Sequence, residues 1–133
     1  MSEELADGAA IVPGYAGHAD MPARRLSDQQ VRAWVGELLA TLRERVPLGE
    51  YADRVEALLM RCEFADQNVI HAMEDDRFAQ AEYAAAIEEY DRKLVAAANG
   101  LPSAGTGALE AVVAGLERAF TERAEGIANR LKR

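Results

Sequence analysis

Apolar residues recur at three- and four-residue spacing in three stretches of this chain, and each stretch predicts a helix. The first runs Val31, Trp34, Val35, Leu38, Leu39, Leu42, Val46. Ser27 and Gln30 stand at the spacing of a capping box, with Leu26 and Val31 at the staple positions, so the helix is expected over 27–46. Arg43 and Arg45 suit its negative end, and Pro47 and Gly49 stop it. The last stretch runs Leu109, Val112, Val113, Leu116, Phe120, Ala124, Ile127, Leu131 and predicts a helix over 106–132, capped by Thr106. Between the second and third stretches lies Asn99-Gly100-Leu101-Pro102, read as a left-handed cap followed by a stop.

The middle stretch, residues 50–98, contains neither Gly nor Pro. Its apolar phase carries a seven-residue series, Val55, Cys62, Val69, Asp76, Tyr83, Tyr90, Ala97, in which Asp76 alone is charged. Two architectures follow. One is a continuous or kinked helix, roughly 72 Å long at 1.5 Å per residue, whose seam needs a second copy of the chain to cover it. The other turns near Asp76, with Glu74-Asp75-Asp76 at the bend, and folds back into a four-helix bundle. A helix ending at Glu74 would put three acids at its negative end with no Gly or Asn to cap it, whereas Asp76 suits the start of a new helix. Both readings give an all-α helical bundle, a long central segment packed with helices 27–46 and 106–132 and completed by dimerisation along Val55, Cys62, Val69, Asp76, Tyr83 and Tyr90.

Residues 1–26 break any period with Gly8, Pro13, Gly14, Gly17 and Pro22. They read as a flexible or docking tail ahead of a single helical domain, 27–133. Ile11, Val12 and Tyr15 give the tail an apolar segment that suits a partner or neighbouring subunit.

Composition strengthens the helical reading, since half the residues are hydrophobic, aromatics make up 6% and alanine fills roughly a fifth of the positions. The net charge is −8, and segment 47–76 alone carries −6 of it. No basic face is available for phosphate, which argues against nucleic acid and against an anionic membrane surface. No apolar run approaches the length of a membrane span. One cysteine makes no internal disulfide, and the acidic start Met1-Ser2-Glu3-Glu4 is unlike a secretory leader, so a cytoplasmic setting is expected.

Few residues offer chemistry. Cys62 and His71 are nine positions apart, about 900° of helical rotation, and so point to opposite sides of one helix. They cannot share a metal. His71 and Asp75 supply two corners of a metal site without a third, and no Glu-x-x-His pair exists for a di-metal bundle. Glu88, Glu89 and Asp91, followed by Arg92 and Lys93, read as a solvated, salt-bridged face. Nucleophile elbows, dinucleotide fingerprints and phosphate-binding glycine loops are absent, so no catalytic, cofactor or metal residue is assigned.

Opposite the seam, Met60, Phe64 and His71, with Gln67 in the gap, make a second, broken stripe flanked by Ile70, of a kind more typical of interfaces than of open surface. The expectation is therefore a non-enzymatic helical accessory protein, an adaptor, chaperone or assembly factor, homodimeric, that binds another protein through this outer face and the apolar N-terminal segment. The alternative is a small-ligand- or metal-binding bundle using Asp76, Tyr83 and Tyr90 inside the bundle or at a dimer interface.

Overall fold

A computed structural model describes residues 5–7 and 10–129, with side chains from Val12 onward except that of Ala79. It is an all-α helical bundle. The helices are α1 (Met21–Arg45), α2 (Ala52–Glu63), α3 (Gln67–Met73), α4 (Ala81–Ala98) and α5 (Leu109–Asn129), joined by short 3₁₀ turns. Ahead of them, β1 (Leu5–Asp7) and β2 (Ala10–Val12) pair antiparallel, with Leu5 opposite Val12.

α1 starts earlier than its apolar stripe suggests. Asp20 is the cap, its carboxylate accepting from the Ala23 amide at 2.8 Å, and Pro22 occupies the first turn, where its missing N–H costs nothing. Ser27, the expected cap, is buried inside the helix instead. Its hydroxyl donates to the Gly17 carbonyl (2.8 Å) and accepts from the Ala16 amide (2.9 Å). Gly14 and Gly17 have φ of 80° and 74°, so the chain before α1 can reverse and lie against the helix it precedes. From Val12 on, the stretch read as a tail is therefore core: Val12, Tyr15 and His18 are buried.

The long central helix does not form. Its seven-residue phase is cut twice, at Phe64-Ala65-Asp66 and again from Glu74 to Gln80. The second cut is the turn near Asp76; the first carries no Gly or Pro to announce it. Asp66 begins α3 by accepting from the amides of Asn68 (2.9 Å) and Val69 (3.3 Å), and Asp75 likewise accepts from the Arg77 amide at 2.9 Å. The open carbonyls at the two helix ends are met from α1. Arg32 Nη1 donates to the carbonyls of Cys62 (2.9 Å) and Glu63 (3.4 Å), and Arg24 Nη1 donates to those of Met73 (2.6 Å) and Asp75 (3.2 Å). Two buried arginines thus replace the absent glycine caps and place positive charge at two helix C-termini.

The breaks also change which residues face inward. Asp76 is exposed in the turn, and Phe78 takes the buried position, packing with Val69, Met73, Ile87 and Ile127. Val55 and Cys62 belong to the main core with Leu39, Leu42, Leu94 and Leu116. Trp34, part of the first apolar stripe, is half-buried at the edge of this core. With the chain folded back on itself, Val55, Cys62 and Val69 are buried within one chain, in two separate clusters, while Asp76 stays in solvent. The 72 Å helix that called for a partner copy is gone.

At the far end, Asn99 (φ −61°) and Gly100 (φ −80°) stay right-handed instead of forming the expected left-handed cap. The chain passes through a 3₁₀ turn whose buried Leu101 offers its carbonyl to Arg45 Nη2 at 2.9 Å. Thr106 sits in another 3₁₀ turn and caps nothing; α5 begins at Leu109, and Leu131 lies outside the described residues.

Candidate functional site

The polar interior is a chain of charges that links four parts of the fold. Asp91, on α4, is fully buried and accepts from Tyr15 Oη (2.8 Å), His18 Nε2 (2.9 Å) and Arg123 Nε (2.7 Å). Arg123, on α5, donates from Nη2 to Asp28 at 2.6 Å, and Asp28 accepts from Arg32 Nε at 2.9 Å. Arg32 then reaches the end of α2. Two acids alternate with two arginines, so the burial carries no net charge. A carboxylate only accepts, so His18 Nε2 carries its proton toward Asp91 and the nearby Tyr15 oxygen at 2.6 Å.

Burial would push the Asp91 carboxyl up, but the Arg123 guanidinium and the hydrogen bond from His18 hold it below the usual aspartate range. Burial also opposes the Arg123 charge, and Asp91 with Asp28 outweighs it, so its proton is held more tightly than in an ordinary arginine. Tyr15 is held as a neutral phenol by burial and by the charge of Asp91. A depressed carboxyl contributes stability above its unfolded value of about 3.9, and that contribution is lost as pH falls through the folded value. Urea midpoints should therefore be level down to about pH 5 and fall most steeply below about pH 4, with Asp91→Asn giving a visibly shallower acid limb. An unchanged limb in that variant would remove Asp91 as its source.

The acids of this network, with Tyr15 and His18, are shut away from solvent. His18, Asp91 and Arg123 are buried side chains from three parts of the chain, and what they do is hold the N-terminal segment, α4 and α5 together. Asp91 is the clearest departure from the sequence reading, which placed it on a solvated face. Of that face, the Glu88–Arg92 pair at 2.5 Å is present.

The open site lies on the other side of the same arginines. Among the described residues only three large apolar side chains are exposed: Leu26 (41%), Met60 (58%) and Phe64 (62%). Met60 and Phe64 are one turn apart and line one pocket of about 270 Å³ with Val69, Phe120 and Ala124. Arg32, Arg61 and Arg123 also border it. Arg61 lies over the Phe120 ring, 5.0 Å from its centre, and its Nη1 donates to Thr121 Oγ1 at 3.4 Å. A wider cavity of about 700 Å³ adjoins along α3 and α5, sharing Arg61, Asp66 and Ala124 and adding Asn68, His71, Asp75 and Glu125. The whole is a groove, apolar at the end of α2 and polar toward the end of α5.

The first break in the central segment creates this groove. Phe64 is the C-cap of α2: its amide still donates to the Met60 carbonyl at 2.9 Å, but its backbone is extended and carries the chain out of the helix. Arg32 and Arg123 are fixed from below by Asp28 and Asp91, which makes the floor rigid.

No protein-family model, curated protein or solved structure matches this chain. The reading of the site therefore rests on its geometry.

Of the residues assigned to an outer face, Met60 and Phe64 line the apolar end, His71 lines the polar end exposed, and Ile70 is half-buried beside them. Val12 and Tyr15 cannot reach a partner, because both are consumed in the core; the Ile11 side chain lies outside the described residues. Val55, Cys62 and Val69 are likewise internal and do not form a subunit seam. The packing there is close: Gly36 approaches so near that a Cβ on it would lie 3.2 Å from Cys62 Cβ. Burial pushes the Cys62 thiol up to about 11 despite Arg32 and Arg61, which leaves it protonated and unreactive at neutral pH.

Asp76, Tyr83 and Tyr90 do not converge as a ligand site. Asp76 is exposed in its turn, Tyr83 meets Phe78 edge to face at 5.5 Å, and Tyr90 lies across Gly126, whose missing side chain makes room for the ring. No group of three metal-ligating side chains converges among the described residues. No helix among them is long and apolar enough to cross a membrane.

Proposed function

We propose that this protein is a non-enzymatic helical interaction protein, an adaptor, chaperone or assembly factor, that docks another protein in the groove between α3 and α5. The observation that carries this reading is the pairing of Met60 and Phe64, both more than half exposed, over one apolar pocket. Leaving these two side chains more than half in water forgoes about 1–2 kcal/mol of burial each, which a partner recovers on docking. A floor held by ion pairs is suited to the task because it loses little freedom on binding. The single buried cysteine and the absence of any disulfide suit a reducing compartment such as the cytoplasm.

The test is a double variant, Met60→Ser with Phe64→Ser. Substitutions at such exposed positions change stability by about 0.5 kcal/mol or less, so circular dichroism and urea midpoints should stay close to wild type. Affinity capture from the native cell should lose the proteins that the unaltered chain retains. If every one of them is retained by a folded double variant, docking does not occur in this groove.

A further inference from the structure

We infer that the occupant of the groove is a basic amphipathic helix of the partner protein, its apolar face on Met60, Phe64 and Phe120 and its lysines or arginines against Asp66, Asp75 and Glu125. This rests on the docking reading above and adds the chemistry of the partner. The walls are themselves helices, the end of α2, α3 and the last turns of α5, and a channel between helices accommodates another helix laid along it. α3 has seven residues, about 10 Å of wall, which two turns of an occupant would span.

Charge selects the sign of that helix. Two of the arginines at the apolar end are already paired, Arg123 with Asp91 and Asp28 and Arg32 with Asp28, while Arg61, which borders both ends, lies on Phe120 and donates to Thr121 Oγ1. At the polar end the carboxylates are not. Among the described residues neither Asp66 nor Glu125 has an ion-pair partner; Asp66 accepts only from the amides that start α3. Asp75 is paired with Arg77 at 2.9 Å at the groove's edge, where the pair is open to solvent. Asp66 and Asp75 belong to segment 47–76, which carries −6 of the chain's net charge of −8. An acidic occupant would lie against these carboxylates, and an uncharged one would leave them without a counterion.

Two synthetic peptides of about five helical turns test this, with identical leucines at i, i+3, i+4 and i+7 spacing and polar positions filled by lysine in one and glutamate in the other. Fluorescence anisotropy with the full chain should show the lysine peptide binding at least about tenfold more tightly, and more weakly as salt rises. Met60→Ser with Phe64→Ser should abolish that binding. Asp66→Asn, which keeps the α3 cap, combined with Glu125→Gln should weaken it by about three- to tenfold, the size expected for two exposed ion pairs. Equal or tighter binding of the glutamate peptide overturns the charge assignment while leaving the docking reading in place. If neither peptide binds, the basic-helix occupant is wrong, and the capture experiment alone decides whether the groove docks anything. Self-association that light scattering shows to depend on Met60 and Phe64 would identify a second copy as occupant and likewise overturn it.

Discussion

Asp91→Ala should lower the stability of this protein by about 3–5 kcal/mol, the largest effect of any single truncation considered. Removing the carboxylate leaves the Arg123 guanidinium with Asp28 alone and takes the acceptor from both Tyr15 Oη and His18 Nε2. Tyr15 Oη and His18 Nε2, 2.6 Å apart, can still bond each other, so one of these two buried donors is left without an acceptor, and a buried donor that loses its acceptor costs more than the original bond contributed. Asp91→Asn keeps the volume and one acceptor oxygen, so its loss should be smaller, though still larger than that of Glu88→Ala on the same helix, where the change is at the surface and about 0.5 kcal/mol is expected. Urea midpoints at neutral pH provide the comparison. A midpoint for Asp91→Ala within about 1 kcal/mol of wild type would show that the network is a packing convenience and not a tie.

Arg24→Met should cost about 2–3 kcal/mol, and its effect should be concentrated far away in sequence. Methionine keeps most of the apolar stem, so the missing element is the charged donor that closes the end of α3 through the carbonyls of Met73 and Asp75. Its neighbour makes the contrast. Arg25 reaches Glu74 at 3.3 Å on the surface, a pair worth little, and Arg25→Met should be nearly silent. Hydrogen exchange of the amides in 67–73 reports the local effect: they should exchange markedly faster in Arg24→Met than in Arg25→Met. Equal protection in the two variants would mean that α3 is held by its apolar contacts alone.

The helical class, the first and last helices and the outer Met60–Phe64 pair could be read from the sequence because each depends on local periodicity. What could not be read depends on residues far apart. The acids Glu74-Asp75-Asp76 mark a turn after Met73, but nothing near Glu63 signals a helix end, and the donors that close both ends, Arg32 and Arg24, come from a helix about thirty to fifty positions away. Asp91 stands in a run of acids with Glu88 and Glu89, and the arrival of Arg123 and the N-terminal segment pairs it in the interior. A hint was available. Asp91 lies four positions after Ile87 and three before Leu94, which puts it on the apolar face, and an acid on such a face should prompt a search for a buried cation. Likewise Asp28 lies three positions before Val31 and Arg32 three before Val35, so both stand on the face of the α1 stripe and not opposite it. The tail was misread for a related reason: its glycines and prolines break periodicity, but here they let the chain reverse, and Tyr15 and His18 are large side chains delivered to the core by those turns.

The dependence of α3 on α1 has a consequence for how the molecule comes apart. Seven residues are too few to hold a helix in water on their own. Since the end of α3 and the end of α2 are both closed by side chains of α1, the three helices should open as one cooperative unit, not as separate frays. The groove is therefore a property of a folding unit: undocking α1 would erase the wall and the floor together, so that any partner bound there would act as a clasp on the whole fold, stabilising α1 without touching most of it.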